Sequence, residues 1–373
     1  MRIDSIDLYH VALPLTRPYP PVEGRLDRLE TVLVRLRSGS SEGWGEAAPG
    51  TAPLGSAEWA GGAMACLRDW LAPRLAGQAV DSASDLTDRL AAIRGNRFAK
   101  AALDMAWWDL RARLTGKSLP EALGAQRERV EAGVTFDRMD STEVFLEAVG
   151  KAAEEGYGRI GLKFRPGWDF AMLNAVRHEL PTHTLHVDCE GTMGLANMEL
   201  LYRIEDFMLA MVEQPFAPED LVAHAMAQDS LRTPVCLDES VTSPEVVEMA
   251  VDLKSARYLC VNPGRAGGLT AAVAIHDLCR EHAIPCWVGA TPQSAVGMRH
   301  VLALAGKENF RYPADYPPAE GWLAEDLAEA PAALRDGEES PRTVPLWTEA
   351  GIGVEPDAAI LEKHTLQHAR LPA

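Results

Sequence analysis

Four polar side chains follow one another along this sequence at a constant interval. Lys163, Asp188, Glu213 and Asp238 stand 25 residues apart, and Asn262 comes 24 further on. Each closes a short apolar run: RIGLKF, THTLHVD, MLAMVEQ, TPVCLDE and ARYLCVN. Three carboxylates brought to one place repel one another and lose hydration. A hard divalent cation offsets both costs, and an all-oxygen set favours magnesium, with manganese possible, over zinc. The bland counterpart for any single acid is a helix cap or an arginine partner; equal spacing of three argues for a shared task. Glu190 and Glu239 lie beside two of the ligands and are read as groups that support them from behind, with Glu239 alternatively pointing to the other side to anchor a neighbour.

Lys163 ends one of these runs. A lysine near a cation and partly desolvated can serve as a base; the alternative is an ion pair with Asp188 or Glu190 that holds the rim together. A metal beside a lysine suits removal of the proton next to a carboxylate, because the enediolate's charge develops where the cation can stabilise it. Phosphoryl transfer is disfavoured by the lack of a GxxxxGK[ST] loop. Pro263-Gly264-Arg265-Ala266-Gly267-Gly268 is not a dinucleotide fingerprint either, and suits a strand turning into its helix with Asn262 facing the site. In Gly289–Ser294, Gln293 faces ligand or satisfies backbone, and Ser294 is a helix cap. His186, two residues before Asp188, reads as a core or supporting group; His282 and His300 read as structural.

Positioning these side chains requires strands whose ends meet. Beyond Arg127 the chain alternates short apolar strands with helices of ten to fifteen residues, the pattern of a parallel sheet covered by helices. One βα unit takes roughly 25 residues, so the polar residues fall on neighbouring strand ends, at the rim where barrel chemistry sits. An open doubly wound sheet is the competing arrangement. Before this, residues 2–12 and 29–37 alternate as strands of an antiparallel sheet. Residues 56–114 then turn helical, giving a small α+β domain.

The 373 residues suffice for a barrel and a second domain. With 36 basic and 54 acidic residues the net charge is −18, which argues against nucleic acid as a partner. The six cysteines form no CxxC pair or short cluster and read as free thiols of a reducing, cytoplasmic setting. No run is long enough to span a membrane and no leader pattern precedes the first strand, so no membrane association is expected.

The segments LETVLVRL…GWGE, AKAALDMAWWD, LKFRPGWD, VDCEG, VEQP, CLDES, PGRAGG and YPADYPP carry a resemblance over nearly the whole chain. It resembles the enolase superfamily, muconate-lactonizing branch, and within it the o-succinylbenzoate synthase and N-acylamino acid racemase group. The resemblance implies an α/β protein: a (β/α)7β modified TIM barrel at 126–325 with an N-terminal α+β capping domain at 1–125. Residues 326–373 would return to the cap. It implies that Asp188, Glu213 and Asp238 hold Mg2+, that Lys163 moves the α-proton of a small-molecule carboxylate, and that the subunits form a homo-oligomer. The loop from Tyr19 to Gly24 would close over substrate, with Tyr19, Trp44, Thr135, Asn262 and Gln293 shaping its pocket and Glu46 nearby.

The sequence departs from that family's pattern at the base positions. Gly161 replaces the first lysine of a Lys-x-Lys pair, Asn262 the lysine on the opposite face, Gln293 a glutamate, and Asp188-Cys189-Glu190 an Asp-x-Asn. Asn262 occupies a catalytic position but cannot exchange a proton near neutral pH. A one-base reaction, syn β-elimination by Lys163 of the o-succinylbenzoate synthase kind, is the expected activity. A racemase or cycloisomerase with another second acid, and a catalytically silent carboxylate-binding homologue, are the alternatives.

Overall fold

A 15-residue strand opens the chain, and its alternation has a simple use. β1 (Ser5–Tyr19) pairs antiparallel with β2 (Leu26–Ser38), which pairs with β3 (Ser41–Ala47). Ile6, Leu8, Val32, Val34 and Leu36 point to one buried face, against the helix Arg97–Leu114. That helix lies almost on the backbone of β3, an approach that two glycines permit. A Cβ on Gly45 would stand 2.1 Å from the Ala102 carbonyl, and one on Gly43 would stand 2.4 Å from that of Ala106. The structure, a computed structural model, describes residues 1–19, 26–318, 321–337 and 340–372.

The barrel follows. Its parallel strands are β4 (Arg129–Phe136), β5 (Arg159–Lys163), β6 (Leu185–Asp188), β7 (Val212–Glu213), β8 (Val235–Leu237), β9 (Tyr258–Val261), β10 (Cys286–Val288) and β11 (Ala314–Asp315). They run in sequence order from β4 to β10, with β11 on the far side of β4. Cys286 also bridges to Phe310, just before β11, so the two ends of the sheet approach and the barrel nearly closes. This is the (β/α)7β architecture, not the open sheet. β12 (Thr343–Pro345) adds antiparallel to β4, and β13 (Thr365–Pro372) returns to pair antiparallel with β1.

The helices between barrel strands begin where the sequence supplies caps. Ser141, Asp220, Ser243 and Ser294 each accept a backbone N–H of the first turn in the helices Thr142–Glu154, Leu221–Ser230, Pro244–Leu253 and Ala295–Ala305. The helix Leu221–Ser230 carries a blurred apolar stripe, because it buries His224 and Gln228 along with its alanines. Among the described residues no helix is long and apolar enough to cross a membrane.

Three buried polar side chains seat the cap on the barrel. Glu46 of β3 accepts from Ser294 N–H at 3.1 Å and Gly297 N–H at 2.9 Å, at the start of a barrel helix. Asp104 accepts from Thr270 N–H at 3.1 Å and from the Thr270 hydroxyl. His300 Nε2 lies 2.9 Å from the Trp44 carbonyl oxygen. Burial pushes the Glu46 carboxyl up despite its donors, and pushes Asp104 up to about 6.

Candidate active site at the barrel rim

Parallel register brings the spaced residues together. Lys163 at the end of β5 is paired in register with Asp188 of β6, and Asp188 with Glu213 of β7. Asp238 and Asn262 follow the last residues of β8 and β9. The Lys163 ammonium lies 2.6 Å from Asp188 Oδ2 and 2.8 Å from Glu190 Oε1. The ion pair weighed as an alternative for Lys163 is therefore formed in this state. Glu190 takes this place at a backbone φ of 49°, the left-handed region that an Asn tolerates better than a Glu. Its N–H returns to Asp188 Oδ1 at 3.0 Å, and Arg165 spans from Glu190 at 3.4 Å to Asp137 at 2.6 Å.

Acid outweighs base here. Among the described residues, Asp137, Asp188, Glu190, Glu213, Asp238 and Glu239 face Lys163, Arg165 and Arg265, whose guanidinium donates to Asp238, while Arg159 acts on Glu213 from below but is itself paired with Asp315. Burial, then the charges of Asp188 and Asp238, push the Glu213 carboxyl well above the usual range. Burial raises Asp238 even with Arg265 beside it. Glu239 is pushed up to about 8, by burial first and by Asp238 second, and its Oε2 is buried without a hydrogen-bond partner. Such a set is held ionised most readily by a bound divalent cation, so the donors fit one.

Among the described residues, the group whose ligand atoms all lie within 4.8 Å of one another is Glu213, Asp238 and Cys260. Asp188, engaged by Lys163, stands outside that group. Cys260 is the residue that sequence spacing missed. Its one usable signal was position: two residues before Asn262, it shares that residue's side of β9.

The remaining named residues divide. Asn262 is 5% exposed, and its Oδ1 accepts from Gly264 N–H at 2.9 Å and Arg265 N–H at 3.3 Å, capping the short helix Pro263–Ala266. Thr135 Oγ1 accepts from Arg159 at 3.1 Å inside the barrel. Gln293 is buried, with Oε1 directed at Gly297, where an added Cβ would meet it at 2.3 Å. Trp44 is occupied within the cap: its indole donates to Glu355 at 2.8 Å and its ring lies beside Tyr9 and under Arg35. Tyr19 ends β1, but its side chain and the loop residues 20–25 lie outside the described residues.

Below the rim the interior is rebuilt around the missing first lysine. A Cβ on Gly161 would stand 2.5 Å from Thr135 Oγ1 and 2.9 Å from His186 Cε1 and Nε2. His186 thus fills the space beside position 161; it is fully buried, and its Nε2 lies 3.0 Å from Glu213 Oε2. Arg159, also fully buried, pairs with Asp315 and stacks over Trp287. Sequence periodicity put His186 on the ligand side but gave no sign of the Arg159–Asp315 pair, whose partners are 156 residues apart.

A nearly closed eight-stranded parallel barrel, a separate antiparallel cap sheet and acids on successive strand ends define a class, and comparison with known proteins agrees. The mandelate racemase / muconate lactonizing enzyme N-terminal domain matches residues 5–124, and the enolase C-terminal domain-like family matches 144–360. The chain belongs to the enolase superfamily, in its mandelate racemase/muconate lactonizing enzyme group. It is 37% identical over 366 residues to N-succinylamino acid racemase of Thermus thermophilus, covering 98% of each chain. It is 33% identical over 365 residues to o-succinylbenzoate synthase of Bacillus subtilis, covering 98% of this chain and 97% of that one. An enolase-superfamily crystal structure from Listeria innocua superimposes with a TM-score of 0.93 at 30% identity, covering 100% of this chain and 99% of that chain. The Thermus and Bacillus relatives are, by name, a racemase and a synthase, and this chain is an enzyme of their superfamily.

Proposed function

We propose that this enzyme removes the proton next to the carboxylate of a small-molecule substrate, with Lys163 as the single base, and completes a syn β-elimination of the o-succinylbenzoate synthase kind. The observation that carries this reading is the asymmetry of the site. Lys163 stands on one strand end with Asp188 and Glu190, while position 262 offers a side-chain amide tied to two backbone N–H groups. An amide so held neither accepts nor delivers a proton near neutral pH.

Asp188, Glu213 and Asp238 are the carboxylates that would hold a divalent cation, magnesium by the hardness of oxygen ligands or manganese as the near equivalent. When bound, that cation supplies positive charge against the substrate carboxylate as its α-carbon loses a proton. Asp188 and Glu190 place the Lys163 amine at the rim, and Arg165 holds Glu190 in turn. Having taken the α-proton, Lys163 can return it to a leaving group on the same face. Thr135 and Gln293 are the described residues proposed to shape the substrate pocket.

A second reading, racemisation, draws on the 37% identity to an N-succinylamino acid racemase. Proton–deuterium exchange by NMR separates the two, using both enantiomers of N-succinyl amino acids and the o-succinylbenzoate precursor with magnesium present. Elimination by one base predicts product from the precursor, exchange of a single enantiomer, and loss of both in Lys163→Ala. Exchange of both enantiomers would replace it with racemisation; no exchange and no product would remove the proton-abstraction reading.

A further inference from the structure

We propose that the same rim also binds a soft divalent ion of the zinc or cobalt type, with Glu213, Asp238 and Cys260 as ligands. This rests on reading Glu213 and Asp238 as metal ligands, and adds a thiolate to them. The ligand atoms of these three residues already lie within 4.8 Å of one another, without Asp188. Around a tetrahedral ion with bonds of about 2.0 Å to oxygen and 2.3 Å to sulfur, neighbouring donors stand about 3.3–3.5 Å apart. The closing movement is then at most roughly 1.5 Å per pair, within reach of carboxylate rotation.

Two further features prepare the place. The Cys260 sulfur lies within 4.8 Å of a carboxylate oxygen of Asp238 and faces Gly289, where an added Cβ would stand 2.3 Å from it, so the glycine keeps the room that the thiol occupies. Behind Glu213 stands His186, fully buried, with neither ring nitrogen in a hydrogen bond of good geometry. Its Nε2 is 3.0 Å from Glu213 Oε2. A buried imidazole of this kind can donate to the ligand oxygen turned away from an ion, the usual support of a carboxylate ligand. Binding exchanges the Cys260 thiol proton, released to solvent, for the metal–sulfur bond.

The chemistry then discriminates between metals. Magnesium takes oxygen ligands and gains nothing from the thiol, whereas zinc and cobalt favour a thiolate beside carboxylates. Asp188, held by Lys163 and the Glu190 N–H, is needed for the hard ion and not for the soft one.

The test uses the full-length protein, stripped with a chelator and titrated with Co2+ and then Zn2+. The expected result is a near-ultraviolet thiolate-to-cobalt charge-transfer band, kept in Cys66→Ser, which removes the most exposed thiol, and lost in Cys260→Ser. Zinc affinity falls in Cys260→Ser by at least the roughly 10–100-fold that loss of an outer ligand partner costs, with magnesium affinity changed far less. Should Cys260→Ser fail to fold, X-ray absorption on zinc-loaded Cys66→Ser decides, through a sulfur neighbour at about 2.3 Å. Cobalt bound without charge transfer, a band that survives in Cys260→Ser, or an oxygen-and-nitrogen-only zinc shell would each overturn the proposal. Sulfur ligation with no magnesium-dependent exchange leaves this inference standing and removes the proton-abstraction reading. Exchange with an oxygen-only zinc shell does the reverse.

Discussion

Replacing Gly161 by alanine tests whether the interior under the rim is as tightly committed as its geometry implies. The new Cβ would lie 2.5 Å from Thr135 Oγ1 and 2.9 Å from two atoms of the His186 ring, against ordinary contacts of about 3.4 Å or more. Overpacking of this size costs about 1–3 kcal/mol. If Thr135 swings aside, the hydrogen bond it accepts from buried Arg159 at 3.1 Å is lost as well, about 1.5–3 kcal/mol more for a charged donor. His186→Ala opens the same space, so the two changes offset one another. In urea unfolding, Gly161→Ala lowers stability by at least about 1 kcal/mol, and the Gly161→Ala/His186→Ala pair loses less than the sum of the singles by about 0.5–3 kcal/mol. Gly161→Lys, which restores the lysine pair suggested by the family resemblance, then fails to fold normally unless His186 is also made small. A neutral Gly161→Ala, or a pair additive within about 0.3–0.5 kcal/mol, would refute the claim that His186 occupies the space of the absent lysine.

Two further outcomes follow from buried charge. Asp315→Asn leaves Arg159, fully buried, without its carboxylate, and should cost about 3–5 kcal/mol in thermal or urea unfolding; a loss under 1 kcal/mol would mean that Thr135, the Pro313 carbonyl and Trp287 suffice for the guanidinium. Asp104 has its folded pKa raised from 3.8 to about 6, so the native protein holds a proton there that the unfolded chain releases. The stability this adds is full below about pH 4 and is lost as pH rises through about 6, a change of about 3 kcal/mol. Asp104→Asn reduces the slope of that part of a stability–pH profile, leaving the shares of Asp109, which burial also pushes to about 6, and of the other carboxyls that burial raises, Glu46 and Glu239 among them; an unchanged slope between pH 4 and 6.5 would exclude Asp104 as a source.

The parts of this molecule legible in its sequence are those where one residue carries both a period and a task. Lys163, Asp188, Glu213 and Asp238 end apolar runs, so their spacing gave the strands, their order and the rim. The eighth barrel strand, Ala314–Asp315, is two residues inside a proline-rich segment, too short for any period. Whether Lys163 forms an ion pair was left open by sequence and is answered by geometry, since Glu190 reaches it only through a left-handed backbone turn. Cys260 was invisible as a neighbour of Glu213 and Asp238, because side chains on different strands meet only once the register is known. The same holds for Gly161 and His186: an absent side chain and the ring that fills its place are 25 residues apart and adjacent only across β5 and β6.

β1 lies between β2 and β13, and its two partners come from opposite ends of the described chain. During synthesis, β1 and β2 leave the ribosome before the barrel strands, while residues 365–372 must wait for the whole barrel to be made. At 5–20 residues per second that interval is roughly 20–70 s, during which one edge of β1 stands open as a template for strand pairing. An interrupted chain would therefore not be merely inactive. It would carry an unpaired, apolar strand edge and a nearly finished barrel, a combination that quality control meets as an aggregation hazard before any chemistry is at stake.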